Sequence, residues 1–147
     1  MKGDEYDLII PQARIVREDR DGINKEWKAD FVLHPFDQTN FCKVLELKLP
    51  EVRLVRPEKG GHPQFYITLL NAIRQLQDYA RAFHSTVTRD RFKDQYKIDV
   101  YEPDMQLIVG RKWDIDHINK MLETQRINMV SIDDWDTAIA RMRRKFT

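Results

Sequence analysis

The chain has 147 residues, of which 41% are hydrophobic and 33% charged, so it can bury a core and is unlike a disordered chain. Its 25 Lys and Arg nearly balance its 24 Asp and Glu, so any site for a polyanion must come from local clustering. The single Cys42 excludes an internal disulfide and a cysteine metal cluster. Because no leader or membrane-spanning segment is visible, we expect one cytoplasmic domain over residues 1–147.

The first third of the chain predicts an antiparallel meander. The short run Leu8–Ile10 should end at Pro11, because proline cannot donate to a strand ladder. Polar turns at Asp21–Gly22 and Asp37–Asn40 separate apolar segments of strand length. The predicted strands are Ala13–Arg17, Trp27–His34 and Phe41–Leu49.

A flexible basic loop is expected over about residues 50–64, where Pro and Gly are frequent. It carries Arg53, Arg56 and Lys59. Such a loop is often only a solvated connection, but its cations would also suit a flap beside a polyanion.

A helical period follows, and it predicts a helix over about Phe65–Phe83. A charged segment, residues 89–97, leads to a strand predicted over Met105–Gly110. A strand, a helix and a further strand form a crossover, which is right-handed when the two strands are parallel. The apolar stripe of the helix consists of Leu69, Ile73, Leu76, Ala80 and Phe83.

The last third predicts two further helices and one strand. Asp114 is expected to cap the first helix, Ile127–Val130 to form the strand, and Ser131–Asp134 to act as a capping box for the final helix. The cations at its end suit the helix dipole, and they are also a plausible contact for DNA or a partner subunit. They are Arg141, Arg143, Arg144 and Lys145.

The predicted apolar strands carry charged residues, among them Asp30, Glu46 and Lys48. Because side chains alternate along a strand, Asp30 shares a face with Val32, while Glu46 and Lys48 share a face with Val44. If these strands pair, two carboxylates and a lysine converge. Carboxylates are ligands that magnesium prefers, and the lysine can orient a water or balance negative charge. An exposed ion pair would explain the triplet equally well.

The predicted helix carries Gln75 and Tyr79, which lie on one face because they are four residues apart. Taken singly, Tyr79 is typical of an aromatic residue at the edge of a core, and Gln75 of a solvated helix position. Only the pair indicates a functional motif.

Asp30 followed by Glu46-Leu47-Lys48 resembles the signature of the PD-(D/E)xK nuclease superfamily, with Ala29 where many members have proline. Gln75 and Tyr79 match the Gln-x-x-x-Tyr motif of some branches. The order of motifs along the chain is similar to that in the nuclease domain of the Shedu antiphage defence family. It comprises Glu46–Pro50, Gly60–Pro63, Asn71–Tyr79 and Ile108–Arg111.

The resemblance implies an α/β fold with a restriction-endonuclease-like core, in which helices flank a mixed central sheet. It also implies cleavage of DNA with Mg2+ or Mn2+, held by Asp30, Glu46 and the backbone carbonyl of Leu47. The implied catalytic residues are Asp30, Glu46, Lys48, Gln75 and Tyr79. Arg53, Arg56, Lys59 and Arg74 are the expected DNA contacts.

Members of the family commonly form homo-oligomers and often carry an N-terminal sensing region, for which we expect no room in this chain. The first core helix of the superfamily, which can provide another acid, should be truncated, and Glu18 and Glu26 are weak substitutes. Two alternatives stay open: a non-catalytic binding or assembly module of the same fold, and a restriction or transposition endonuclease.

Overall fold

A β-sheet with helices packed on it dominates the computed structural model of the chain, which describes residues 6–18, 24–36, 41–50, 55–56, 64–65, 67–112 and 130–146. The strands are β1 (Tyr6–Glu18), β2 (Asn24–Pro35), β3 (Lys43–Leu47), β4 (Val55–Arg56), β5 (Gln64–Phe65), β6 (Asp104–Ile108) and β7 (Val130–Asp133). The helices are α1 (Ile67–Ala82), α2 (Thr86–Tyr96) and α3 (Trp135–Phe146).

The main sheet is mixed and has the strand order β1-β2-β3-β6-β7. β1, β2 and β3 pair antiparallel, which confirms the predicted meander. β3 and β6 pair parallel, as a crossover through α1 requires, and β7 adds in parallel to the far side of β6. The chain is therefore an α/β protein with a mixed five-stranded sheet in the part that the structure describes.

The core lies where α1 packs on the sheet. The predicted apolar stripe of α1 is buried, and it covers the face of β3 that carries Val44 and Glu46. Phe83 and Phe92 meet edge to face with ring centroids 5.4 Å apart, which joins α2 to the same core. The acidic residue Glu46 is therefore buried in the apolar layer between α1 and the sheet.

The predicted break at Pro11 is wrong, because β1 runs through it. β1 is an edge strand, where a missing N–H need not cost a ladder bond. Gln12 adopts a left-handed φ of 50°, yet Pro11 and Ala13 keep one register with Phe31 and Ala29. The irregularity is therefore local, and the register places it opposite Asp30.

The helix α2 was predicted only as a charged segment. Its buried residues are Thr88 and Phe92 alone, so hydrophobic periodicity gave little signal. Both ends of α2 have capping residues. At the N-terminus the side chain of Ser85 accepts a hydrogen bond from the Thr88 N–H, and at the C-terminus Lys97 is the cap with a left-handed φ of 62°.

The final strand and helix lie further along the chain than predicted. Ser131 pairs with Gln106 inside β7, so it cannot cap a helix. Asp134 caps α3 instead: its Oδ1 accepts the Thr137 N–H at 2.6 Å. The helix predicted after Asp114 lies outside the described residues.

Part of the predicted loop over residues 50–64 is paired, because β4 and β5 form a short antiparallel ladder. This corrects the expectation of a connection without structure of its own. Among the described helices, none combines the length and the apolar character that a membrane crossing needs.

Candidate active site

Asp30 and Glu46 face each other immediately beyond the last paired residues of β2 and β3, which are Phe31 and Leu45. The backbone N–H of Asp30 donates to Glu46 Oε1 at 3.1 Å. In return, the backbone N–H of Leu47 donates to Asp30 Oδ2 at 2.8 Å. Each carboxyl group therefore binds the opposite strand, and the predicted convergence of the two acids is confirmed.

Glu46 is the more buried acid of the pair. Only 3% of the surface of Glu46 is exposed to solvent. Burial raises the pKa of its carboxyl from 4.5 to about 7, and the nearby charge of Asp30 acts in the same direction. The N–H of Asp30 and the positive charge of Lys48 lower the pKa in part. Near neutral pH both the protonated and the ionised form of the carboxyl are therefore populated.

Lys48 follows the end of β3, and its positive charge lowers the pKa of the Glu46 carboxyl. Its N–H donates to the Ile108 carbonyl at 2.9 Å. Its own carbonyl accepts the indole N–H of Trp135 at 2.6 Å. The main chain of Lys48 is therefore held on both sides, while the grouping of its ammonium with Glu46 stays a prediction.

Tyr79 reaches the two strands from α1 and is fully buried. Gln75 Nε2 donates to the tyrosine hydroxyl at 2.6 Å, and the hydroxyl donates to the Lys28 carbonyl at 3.2 Å. Burial raises the pKa of Tyr79, and the adjacent charge of Glu46 raises it further. The hydroxyl therefore keeps its proton and serves as a hydrogen-bond donor.

The aromatic ring of Tyr79 is also in contact with β2. It packs against the indole of Trp27 with ring centroids 5.9 Å apart and an interplanar angle of 52°. Since Trp27 and Lys28 both belong to β2, α1 is attached to the strand that carries Asp30. The predicted pair of Gln75 and Tyr79 is therefore joined by a hydrogen bond and lies beside the carboxylates.

The set of possible metal ligands is small. Within the described residues, no group of three or more His, Cys, Asp and Glu side chains is arranged to hold a metal ion. The two carboxylates of Asp30 and Glu46 are hard oxygen donors of the kind that Mg2+ binds together with several waters. At Leu47 the N–H contacts Asp30, while the ligand role predicted for its carbonyl stays a prediction.

Of the two weak substitutes for a further acid, Glu26 is bound elsewhere. Both carboxylate oxygens of Glu26 accept hydrogen bonds from the Arg14 guanidinium, at 2.8 and 2.6 Å. That contact also holds the pKa of Glu26 below its usual range. The side chain of Glu18 lies outside the described residues. His34 lies on the same strand as Asp30, but it binds Asp7 at 2.6 Å.

The expected DNA contacts are described only in part. Arg74 is exposed on α1. Arg56 belongs to β4, but its side chain is outside the described part of the chain, as are Arg53 and Lys59. Among the cations of the last helix, Arg141 forms an ion pair with Asp133 at 2.6 Å.

A cavity of about 450 Å3 lies where the first residues of β3 and β6 meet β7. Its polar lining includes Lys43, Gln106 and Ser131, together with the ion pair of Arg141 and Asp133. None of the residues predicted for catalysis lines it, so the cavity and the carboxylate pair are separate features.

Trp135 is a residue near the site that sequence reasoning missed. It is 87 positions from Lys48 along the chain, and its partner there is a backbone carbonyl. A main-chain acceptor carries no signature in the sequence, so no pattern could have indicated this contact.

Comparison with known proteins adds no assignment: no protein-family model matches the chain, and no curated protein matches it. The nuclease interpretation therefore stays a prediction, for which the geometry of the described site supplies the support.

Proposed function

We propose that this chain is a divalent-metal-dependent endonuclease of the PD-(D/E)xK type, which hydrolyses phosphodiester bonds of DNA. The observation that carries the proposal is the mutual placement of Asp30 and Glu46 where the pairing of β2 with β3 ends. The positive charge of Lys48 lowers the pKa of the Glu46 carboxyl, and the same carboxyl raises the pKa of Tyr79. Four residue types that the chemistry needs are thus gathered from three separate elements.

The donor chemistry fits Mg2+ or Mn2+. The hydrogen bonds between the strands use Oδ2 of Asp30 and Oε1 of Glu46. The other oxygen of each group is the candidate ligand, and the Leu47 carbonyl is the candidate third. When bound, a divalent ion would activate a coordinated water and offset charge on the phosphate.

The residues of the chain then have distinct roles. Ionised Glu46 supplies an oxygen ligand, so its proton must leave before the site is competent. The Lys48 ammonium balances negative charge that develops on the phosphate. Tyr79 fixes the surroundings of the Glu46 carboxyl through its retained hydroxyl proton, and Gln75 orients Tyr79. Gln75 and Tyr79 are thereby positioning residues.

The proposed biological setting is antiphage defence in the cytoplasm, with a homo-oligomer as the acting form. This setting rests on the family resemblance alone. A restriction or transposition endonuclease would use the same chemistry, and comparing cleavage of phage DNA and modified host DNA separates these roles.

A specific observation favours a second candidate, a non-catalytic DNA-binding or assembly module. Glu46 is buried, both carboxyl groups already bind backbone N–H groups, and no third acid joins them within the described residues. A carboxyl pair of that kind can have a purely structural role, in which it joins β2 to β3. Under this alternative the chain binds DNA or a partner without cutting DNA.

The test is cleavage of supercoiled and linear DNA with Mg2+, with Mn2+ and with a chelator. We expect metal-dependent cleavage by the wild type and a loss of at least about 100-fold in Glu46→Gln and Lys48→Ala, since each removes a charge at the reacting centre. Glu26→Gln, on the same strand as Asp30, and Lys93→Ala, on α2, are matched controls that should retain activity. DNA binding without cleavage by the wild type would establish the second candidate.

A further inference from the structure

Lys48 lies beyond the ordered pairing of its strand. The last register pair of β3 with β6 is Leu47 with Ile108, and Leu49 is already 70% exposed. The main chain of Lys48 is nevertheless held on both sides. Its N–H donates to Ile108 at 2.9 Å, and its carbonyl accepts the indole N–H of Trp135 at 2.6 Å.

Trp135 is itself anchored at the first turn of α3. Its backbone N–H donates to the Gly110 carbonyl at 3.1 Å, and Gly110 has a left-handed φ of 68° that favours glycine. The preceding residue, Asp134, is 3% exposed and accepts both the N–H and the hydroxyl of Thr137, at 2.6 and 2.8 Å. The indole therefore projects from a fixed helix start.

We propose that Trp135 is a positioning residue for Lys48: its indole N–H holds the Lys48 carbonyl and so restricts where the lysine ammonium can lie relative to Glu46. This inference rests on the proposed nuclease function, because it assumes that the Lys48 ammonium must occupy a defined position in the active site. A lysine side chain is long and flexible, so a loose backbone would spread its ammonium over many positions. In an active site, a displacement of about 1 Å can cost on the order of 100-fold in rate.

The decisive variant is Trp135→Phe, which keeps an aromatic ring and removes the N–H. We expect single-turnover cleavage to slow by about 10-fold to 100-fold while DNA affinity stays unchanged, because the contact acts on placement and not on binding. In a Lys48→Ala background, Trp135→Phe should cause no further loss. Thr137→Ala removes only the hydroxyl contact with Asp134 and keeps both the backbone N–H contact and the indole, so it should lower the melting temperature and keep the rate.

A second measurement does not need activity. NMR relaxation of the Lys48 side chain in the metal-free protein should show greater mobility in Trp135→Phe than in the wild type or in Thr137→Ala. In the wild type, the Trp135 indole N–H should exchange slowly with solvent, a result that requires no variant to fold.

The outcomes separate the two proposals. Greater Lys48 mobility in Trp135→Phe together with an inactive wild type would support the positioning role and overturn the nuclease function. Unchanged mobility, a fast-exchanging indole N–H, or an equal rate loss in the Lys48→Ala background would overturn the role of Trp135.

Discussion

Asp30 and Glu46 form a reciprocal contact across two strands: the N–H of Asp30 binds Glu46 Oε1, and the carboxylate of Asp30 binds the N–H of Leu47. The contact begins where the backbone ladder between β2 and β3 ends. Two acids thus take over the hydrogen bonding at the point where the strands separate. This geometry brings two hard oxygen donors together. It also gives both acids a structural role, because their carboxyl groups join β2 to β3.

Asp30→Asn tests the role of the first acid in metal binding. The amide keeps an oxygen that can accept the Leu47 N–H, so we expect the fold to survive, while the loss of charge should weaken Mn2+ binding by at least about 10-fold. Isothermal titration calorimetry checks this, with the exposed Asp90→Asn on α2 as the control. Equal Mn2+ affinity in Asp30→Asn and the wild type would remove Asp30 from the ligand set.

The second prediction concerns stability and pH. The pKa of Glu46 is about 7 in the folded protein and about 4.5 in the unfolded chain. The folded state therefore holds the proton more tightly, and this contribution is complete below about pH 4.5 and disappears as the pH rises to about 7. At about 1.4 kcal/mol per pKa unit, the loss across that range is about 3 kcal/mol.

Denaturant titrations of the wild type and Glu46→Gln between those pH values measure this loss. The glutamine carries no proton to release, so the variant should lack the decline that Glu46 causes in the wild type. Millimolar Mg2+ should reduce the decline, because it favours the ionised carboxyl. Parallel pH curves for the two proteins would contradict the raised pKa.

The third prediction concerns the link between Gln75 and Tyr79. Tyr79→Phe leaves the Gln75 amide and the Lys28 carbonyl without their shared hydroxyl, so we expect a loss of about 1–3 kcal/mol in the free energy of unfolding. A double-mutant cycle with Gln75→Ala should give a coupling energy of about 0.5–3 kcal/mol. Tyr101→Phe, at an exposed position, should change stability by less than about 0.5 kcal/mol. A coupling energy near zero would show that the two side chains act independently.

The fourth prediction distinguishes the observed start of α3 from the one expected from sequence. Asp134→Ala removes the acceptor of both Thr137 contacts and should cost about 1–2 kcal/mol. Ser131→Ala alters an exposed residue of β7 and should have little effect. Thermal unfolding measures both, and the opposite ranking would restore Ser131 as the cap.

Local sequence rules predicted the antiparallel pairing and the convergence of Asp30 with Glu46, because alternation and turn signals determine which side chains share a face. They also predicted α1, whose apolar stripe is continuous. The same rules missed α2, where only Thr88 and Phe92 are buried. They broke β1 at Pro11, because edge position decides whether a proline is tolerated.

The environment of Glu46 was beyond the reach of local rules. Its burial depends on the packing of α1 over β3, and the support of Lys48 depends on an indole from α3. Both are contacts between distant parts of the chain, which no periodicity reveals. Sequence thus predicted which residues meet, whereas their burial and pKa follow from tertiary packing.

The most direct test of the central claim is where a divalent ion binds. In NMR spectra of the protein titrated with Mn2+, paramagnetic broadening should begin at the amides of Asp30, Glu46 and Leu47 and should be lost in Glu46→Gln. The control Glu26→Gln should broaden as the wild type does. Absence of broadening at these amides with millimolar Mn2+, or the same broadening in Glu46→Gln, would contradict a metal site built on Asp30 and Glu46.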